Sequence, residues 1–298
     1  MEPFGTSTVP SKYALATIRG LLQRKVSIMM PSKSKSPYKF SYTDAIQGKE
    51  LYNYFGNRVL ESRASGGRIV AVKVKPKRGF VRSEADMMHY ASQQPGILAP
   101  QVLGCYDVDP EITVTVSDLV EGQSLDNIWH TMTKAEQKSI KQQLKEQVRL
   151  FRQCTQPYIG RIKRQKTKNF YDRIHLHYMG PFESEEEFDS WCLERVKSPT
   201  AKKIWARLLP GMRGTGEQKF VLTHGDLAAR NIMVKDGKIT GIVDWECSGF
   251  FPEYMEYALA AVVRDGHEGW WKPHLKEILE PCGFKRARFT AAIKWRGW

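Results

Sequence analysis

The sequence predicts an α+β chain in two lobes, a small strand-rich one followed by a larger, mostly helical one. Three observations carry this. Short β-prone runs separated by turn residues fill positions 51–75, and the alternating run ITVTV follows at 112–116. Beyond Gly122 the signals become helical, with capping residues ahead of apolar positions spaced at 3–4 residues. A hairpin signature, Val234-Lys235-Asp236-Gly237-Lys238-Ile239, lies inside that helical half, its Asp-Gly turn flanked by apolar residues. The expected division is a basic N-terminal helix and linker over 1–44, a small lobe over 45–120 and a large lobe over 121–298.

LYNYF and RVLES read as strands joined through Gly56-Asn57, and RASGG at 63–67 as a turn. IVAVKVK is then a strand, ended by Pro76. EADMMHYASQ, from Glu84 to Gln93, reads as a helix stopped by Pro95-Gly96. After the strand ITVTV, SDLVEG is a crossover. Ser124-Leu125-Asp126 opens one helix, and Thr133 with Glu136 forms a capping box for a long one reaching about Gln153. Ile140, Leu144, Val148 and Phe151 make its apolar stripe. Ser184 and Glu187 open another helix by the same rule; further helices are expected over 200–209, 253–263 and 271–280. The stretch 123–223 is expected to be mostly helical.

The net charge of +14 favours anionic partners. No RRM, KH, zinc-finger or helix-turn-helix signature accompanies it, so the charge is read as serving solubility and attraction of nucleotide rather than nucleic acid. Five widely spaced cysteines, without a CxxC pair, suit a reducing compartment and exclude a disulfide framework. Residues 13–30 are the nearest approach to a membrane span and are broken by Arg19, Arg24 and Lys25. Residues 1–40 hold seven Lys/Arg and a single acid, Glu2. That bias is shared with mitochondrial presequences, which Glu2 and Pro3 fit poorly; a basic helix over 13–30 and a linker over 31–37 in a cytoplasmic protein is the expectation, mitochondrial the alternative.

The chemistry concentrates in THGDLAARNIMV and GIVDWE, residues 223–246. Asn231 follows Asp226 by five residues, and Asp244 follows Asn231 by thirteen. A short loop can thus offer one carboxylate to a substrate hydroxyl and one amide to a metal, while the hairpin returns a second carboxylate to the same metal.

HGDLAARN together with DWE resembles the aminoglycoside phosphotransferase family, which shares its fold with protein kinases and choline kinases. GPFESEEEFDSW at 180–191 and DWECSGFFPEYMEY at 244–257 are similar to its fungal branch, and the resemblance covers about residues 45–280. It implies a bilobal kinase-like fold and an ATP- and Mg²⁺-dependent enzyme that moves the γ-phosphate to a hydroxyl of a small molecule. Asp226 is then the catalytic base, and Asn231 and Asp244 are the Mg²⁺ ligands. His224 holds the loop through hydrogen bonds, and Arg230 is structural or phosphate-facing. Lys73, in AVKV, resembles the VAIK lysine that reaches the α- and β-phosphates, its alternative being an ordinary edge-strand lysine such as Lys75. Glu84 is its expected ion-pair partner in preference to Asp86, since similar sequences often carry EAE-N-M where this one has EADMM. Gly56 alone stands where kinases have three phosphate-covering glycines. Asp118 and Val120, in a crossover similar to the adenine-binding linker, contribute backbone groups.

A protein-kinase-like enzyme ranks below this reading, because no APE segment or activation loop separates DWE from PEYMEY; a non-catalytic nucleotide-binding protein of the same fold is the other alternative. The acidic stretch 183–189 is read as a solvated helix start ahead of a cation site, and RIKRQKTK at 161–168 as a solvated loop ahead of an anion site. Trp270-Trp271 is expected to pack the large lobe.

Overall fold

A computed structural model describes residues 46–54, 57–76, 82–108, 112–171, 178–213, 219–260, 269–279 and 284–294. The N-terminal helix, its linker and Gly56 lie outside them. The chain gathers into two compact units, Met1–Phe80 with Val102–Leu119, and Val81–Gln101 with Val120–Trp298. Residues 81–101 therefore group with the second unit, where the expected division at 120 put them in the first. The reason is packing: Met87, Ala91 and Ile97 are buried in the larger core. Among the described residues no helix is long and apolar enough to cross a membrane.

The first unit is a five-stranded antiparallel sheet of β1 (Lys49–Tyr54), β2 (Asn57–Arg63), β3 (Ile69–Pro76), β4 (Val102–Asp107) and β5 (Ile112–Asp118), in the order β1-β2-β3-β5-β4. Alternation sends Val70, Val72 and Val74 to one face, where they meet Leu60, Val114 and Val116. Each such side chain contributes about 1.5–3 kcal/mol on burial. The opposite set of β3 carries Ala71, Lys73 and Lys75. β3 is central, so Lys73 is not an edge-strand lysine; it stands between Val59 and Thr115. β4 has no signature in the sequence. VLGCYD does not alternate, and its pairing slips between Val102 and Gly104. There Tyr106 lies over Gly104, with its hydroxyl 2.1 Å from where a Cβ would stand.

The second unit is built from α1 (Ser83–Ser92), β6 (Gln123–Ser124), α2 (Leu125–Ile128), α3 (Lys134–Gln153), β7 (Thr155–Gln156), β8 (Thr167–Lys168), β9 (Tyr178–Met179), α4 (Glu185–Leu193), α5 (Pro199–Leu208), β10 (Phe220–Thr223), β11 (Ile232–Lys235), β12 (Lys238–Ile242), β13 (Gly249–Phe251), α6 (Met255–Ala258), α7 (Lys272–Ile278) and α8 (Phe284–Lys294). The capping box of α3 is complete: Glu136 N donates to Thr133 Oγ1 at 3.3 Å, and Thr133 N donates to the Glu136 carboxylate at 2.7 Å. Its stripe of Ile140, Leu144, Val148 and Phe151 is buried. Gln147 joins that face by binding Gly96 O and Leu98 N, both at 2.9 Å.

Residues 154–171 and 178–182, apart from a 3-10 turn at Ile162–Arg164, differ from the helical expectation. Pro157 and Pro181 cannot donate, and Gly160 has φ 151°, so the chain pairs with strands instead. Phe220 pairs with Gln156, Ile159 with Phe182, and Gly160 with Phe250. α8 was not legible because its buried positions include Arg286 and Thr290, which break the apolar period.

Candidate active site

The site grows from the hairpin. Asp236 and Gly237 have φ of 50° and 70°, the left-handed pair that a two-residue turn requires. Ile232 consequently pairs with Ile242, and just beyond them Val243 N donates to Asn231 O at 2.8 Å. Twelve residues of sequence separation thus close to a hydrogen-bonded pair. Asn231 also reaches back, its Nδ2 donating to Asp226 O at 2.9 Å. Asp226 and Asn231 are both buried, and Asp244 follows Val243 directly. Asp244 sits at φ 63°, at the head of a 3-10 turn over Trp245–Cys247. Its left-handed backbone turns the chain out of the hairpin, at a conformation Asp tolerates better than most residues.

His224 fastens this arrangement. Its Nδ1 accepts from Asp226 N at 3.2 Å, which leaves Nε2 to carry the proton and donate to Val243 O at 3.1 Å. Gly225 has φ 77°, and a Cβ there would stand 2.8 Å from Cys247 O. Only glycine lets the loop press against the turn after Asp244. Arg230 binds Asp226 Oδ2 at 2.9 Å, so it faces the carboxylate of its own loop.

Two supports were missed in the sequence. The buried Glu256 accepts from His224 N at 2.7 Å and from Gly225 N at 3.0 Å, holding the residues just before Asp226. Its signal was an acid inside the apolar stretch EYMEYALAAVV, a position that demands a partner. Trp271 donates Nε1 to Leu227 O at 2.9 Å, holding the residue just after Asp226, while Trp270 packs beside it.

The crossover is pinned to the hairpin. Gln123 and Ser124 pair with Val234 and Met233, and Glu121 O accepts from Thr240 Oγ1 at 2.6 Å. Val120 covers Gly241, where an added Cβ would lie 2.6 Å from its Cγ1. Asp118, in the first unit, has its carboxylate bound by Arg68.

Glu84 is buried near the start of α1, whereas Asp86 is half-buried. Glu84 and Lys73 fall in different units. Within its own unit Glu84 acts on two cations of the basic run, Arg161 and Lys168. That run is neither a uniformly solvated loop nor an open anion site. Arg161 and Thr167 are buried, Lys168 is paired with Glu246, and Arg164 with Glu183, while Lys163 and Lys166 are exposed.

The acidic stretch is likewise engaged from within. Arg286 binds Asp189 at 2.7 Å and also Glu185, and lies 4.6 Å from the Tyr254 ring centre. Arg213 binds Asp189 at 2.9 Å and Glu186 at 3.5 Å. Glu187 accepts from Glu183 N at 2.7 Å. Burial pushes the Glu185 carboxyl up, against the pull of Arg286. The stretch is therefore neither a plain solvated helix start nor an open cation site.

Among the described residues no group of three or more His, Cys, Asp or Glu gathers as a metal site. One carboxylate and one amide oxygen match instead a cation that completes its shell with phosphates and water.

The model of the phosphotransferase enzyme family matches residues 55–280. The chain belongs to that family. Its α+β fold is shared with solved structures. The apo form of a thermostable mutant of aminoglycoside phosphotransferase APH(4)-Ia superposes with TM-score 0.53 at 16% identity, covering 82% of this chain and 83% of that one. APH(3'')-Id from Streptomyces rimosus gives TM-score 0.51 at 19% identity, covering 86% and 94%. A putative fructosamine-3-kinase from Thermobifida fusca gives TM-score 0.52 at 16% identity, covering 82% and 92%. No curated protein matches the chain.

Proposed function

We propose that this family member is an ATP-dependent phosphotransferase acting on a hydroxyl of a small molecule. The observation that carries the reading is the fastening of Asp226, Asn231 and the residue before Asp244 into one hydrogen-bonded loop pair. The similar APH(4)-Ia forms a ternary complex with AMP-PNP and hygromycin B, which supports a nucleotide in the same fold.

Asp226 is assigned the acceptor hydroxyl, which it orients and deprotonates. Arg230 on Oδ2 and the backbone bonds around His224 fix its direction. Asn231 and Asp244 would hold Mg²⁺. The donor set fits, because Asn231 spends Nδ2 on Asp226 O and its remaining side-chain atom is a hard oxygen donor. When bound, the cation neutralises charge on the transferring phosphate. Lys73, Glu84, Gly56, Asp118 and Val120 are assigned to the nucleotide, as the motif resemblance implies.

The acceptor is not polycationic in this reading. The acidic side chains of 183–186 and Asp189 are already paired with Arg164, Arg286 and Arg213, and the chain carries +14 overall. The decisive experiment incubates wild type and Asp226→Asn with labelled ATP and a metabolite extract. Labelled product from wild type alone supports the assignment; equal labelling by both refutes the role of Asp226, and none from either refutes the enzyme reading.

A further inference from the structure

Arg161 is a fully buried arginine in a loop whose composition predicted solvation. Its guanidinium makes three bonds. Nη2 donates to Glu246 O at 2.5 Å, Nε to Ser248 O at 3.2 Å, and Nη1 to Ser83 Oγ at 2.7 Å. Two of these acceptors are main-chain carbonyls of the turn that begins at Asp244. The third opens α1, one residue before Glu84. The rest of the loop is docked on the same turn: Gly160 and Phe250 exchange both backbone bonds, and Thr167 Oγ1 donates to Ser248 O at 3.3 Å.

A buried charge is costly unless it is fully bonded. Burial pushes the Arg161 guanidinium down, and Glu84 is first among the charges that hold it up. A neutral residue could fill this space at lower desolvation cost. What arginine adds is a rigid fork that fixes two carbonyls and a hydroxyl at once. The turn it fixes begins at the left-handed Asp244, just past the hairpin pairing of Ile232 with Ile242.

We infer that Arg161 is a positioning residue for the metal site: it locks the turn after Asp244 to the start of α1 and thereby sets the direction of the Asp244 carboxylate. The inference rests on the proposed metal role of Asp244. Arg161 touches neither substrate nor metal and acts through two backbone carbonyls of the turn and the Ser83 hydroxyl. Outer-shell partners of this kind alter metal affinity by about 10–100-fold when removed.

The test measures Mn²⁺ binding to the full chain by electron paramagnetic resonance, with and without ATP, beside ATP binding without metal. Arg161→Lys keeps the charge but loses the fork. It is expected to weaken Mn²⁺ binding about tenfold or more, to change metal-free ATP binding less than about twofold, and to be rescued in turnover by excess Mn²⁺. Ser83→Ala removes one anchor while leaving both carbonyl bonds of the guanidinium, and is expected to weaken Mn²⁺ about threefold. It keeps the test open if Arg161 variants do not fold. Lys168→Met breaks the neighbouring pair with Glu246 but leaves the carbonyl bonds, and should bind Mn²⁺ like wild type. Unchanged Mn²⁺ affinity in folded Arg161→Lys, or in Ser83→Ala if the former does not fold, overturns the inference. So does an equal loss of Mn²⁺ and ATP binding, which marks general loosening. A wild type that binds neither Mn²⁺ nor ATP refutes the phosphotransferase reading itself, and the inference falls with it.

Discussion

Replacing Glu256 tests how the loop carrying Asp226 is held. Its carboxylate accepts two bonds from buried amides, 2.7 Å from His224 N and 3.0 Å from Gly225 N. Hydrogen bonds to a charged group contribute about 1.5–3 kcal/mol each, and a stranded buried amide costs a similar amount. Glu256→Ala removes both at a site only 6% exposed, so about 4 kcal/mol is expected. At about 2–4 °C per kcal/mol for a chain portion of this size, the melting temperature should fall by about 8–16 °C. Glu256→Gln keeps one acceptor oxygen but turns an NH₂ toward the second amide, and should fall in between. Differential scanning calorimetry at fixed pH and ionic strength measures both, and nucleotide-dependent turnover below the transition should drop as the loop loosens before Asp226. If Glu256→Ala melts within about 2 °C of wild type, two buried charge-assisted bonds contribute almost nothing here and the reasoning fails.

Asp226→Asn should lower kcat by about 10²–10⁴-fold with ATP affinity nearly unchanged, whereas Asn231→Ala should weaken Mg-ATP binding as well; equal losses of ATP binding in titrations would make Asp226 structural or a metal ligand. Asp244→Gly should abolish Mg²⁺-dependent turnover while melting within a few degrees of wild type. Asp244→Val, forced into φ 63°, should be less stable than the glycine variant by about 1–3 kcal/mol, and denaturant titration orders the two. Aminoglycosides should neither raise the melting temperature nor release ADP faster than the acceptor-free enzyme, and stabilisation by hygromycin B would show that the charges of 183–189 remain open to a cation.

By itself the sequence determined the strand-rich and helical halves, the α3 helix with its cap, the hairpin turn, and the spacing of Asp226, Asn231 and Asp244 along the chain. Each was legible because the cause is local: a period of two or of three to four, a Thr-x-x-Glu box, an Asp-Gly pair, a motif of fixed spacing. Packing decided the rest. β4 exists because β5 offers it an edge, and Thr155–Gln156 and Gly160 pair as strand because β10 and Phe250 supply partners. Glu256, Trp271 and Arg161 support the loops around Asp226 and Asp244 across 32 to 85 residues of chain, separations over which no local pattern exists. The acids of 183–189 and the cations of 161–168 looked like solvent-facing charge because composition records the groups and not their partners. Only the folded chain brought Arg286 and Arg213 to the acids and the turn after Asp244 to Arg161, where burial forces each charge to be matched.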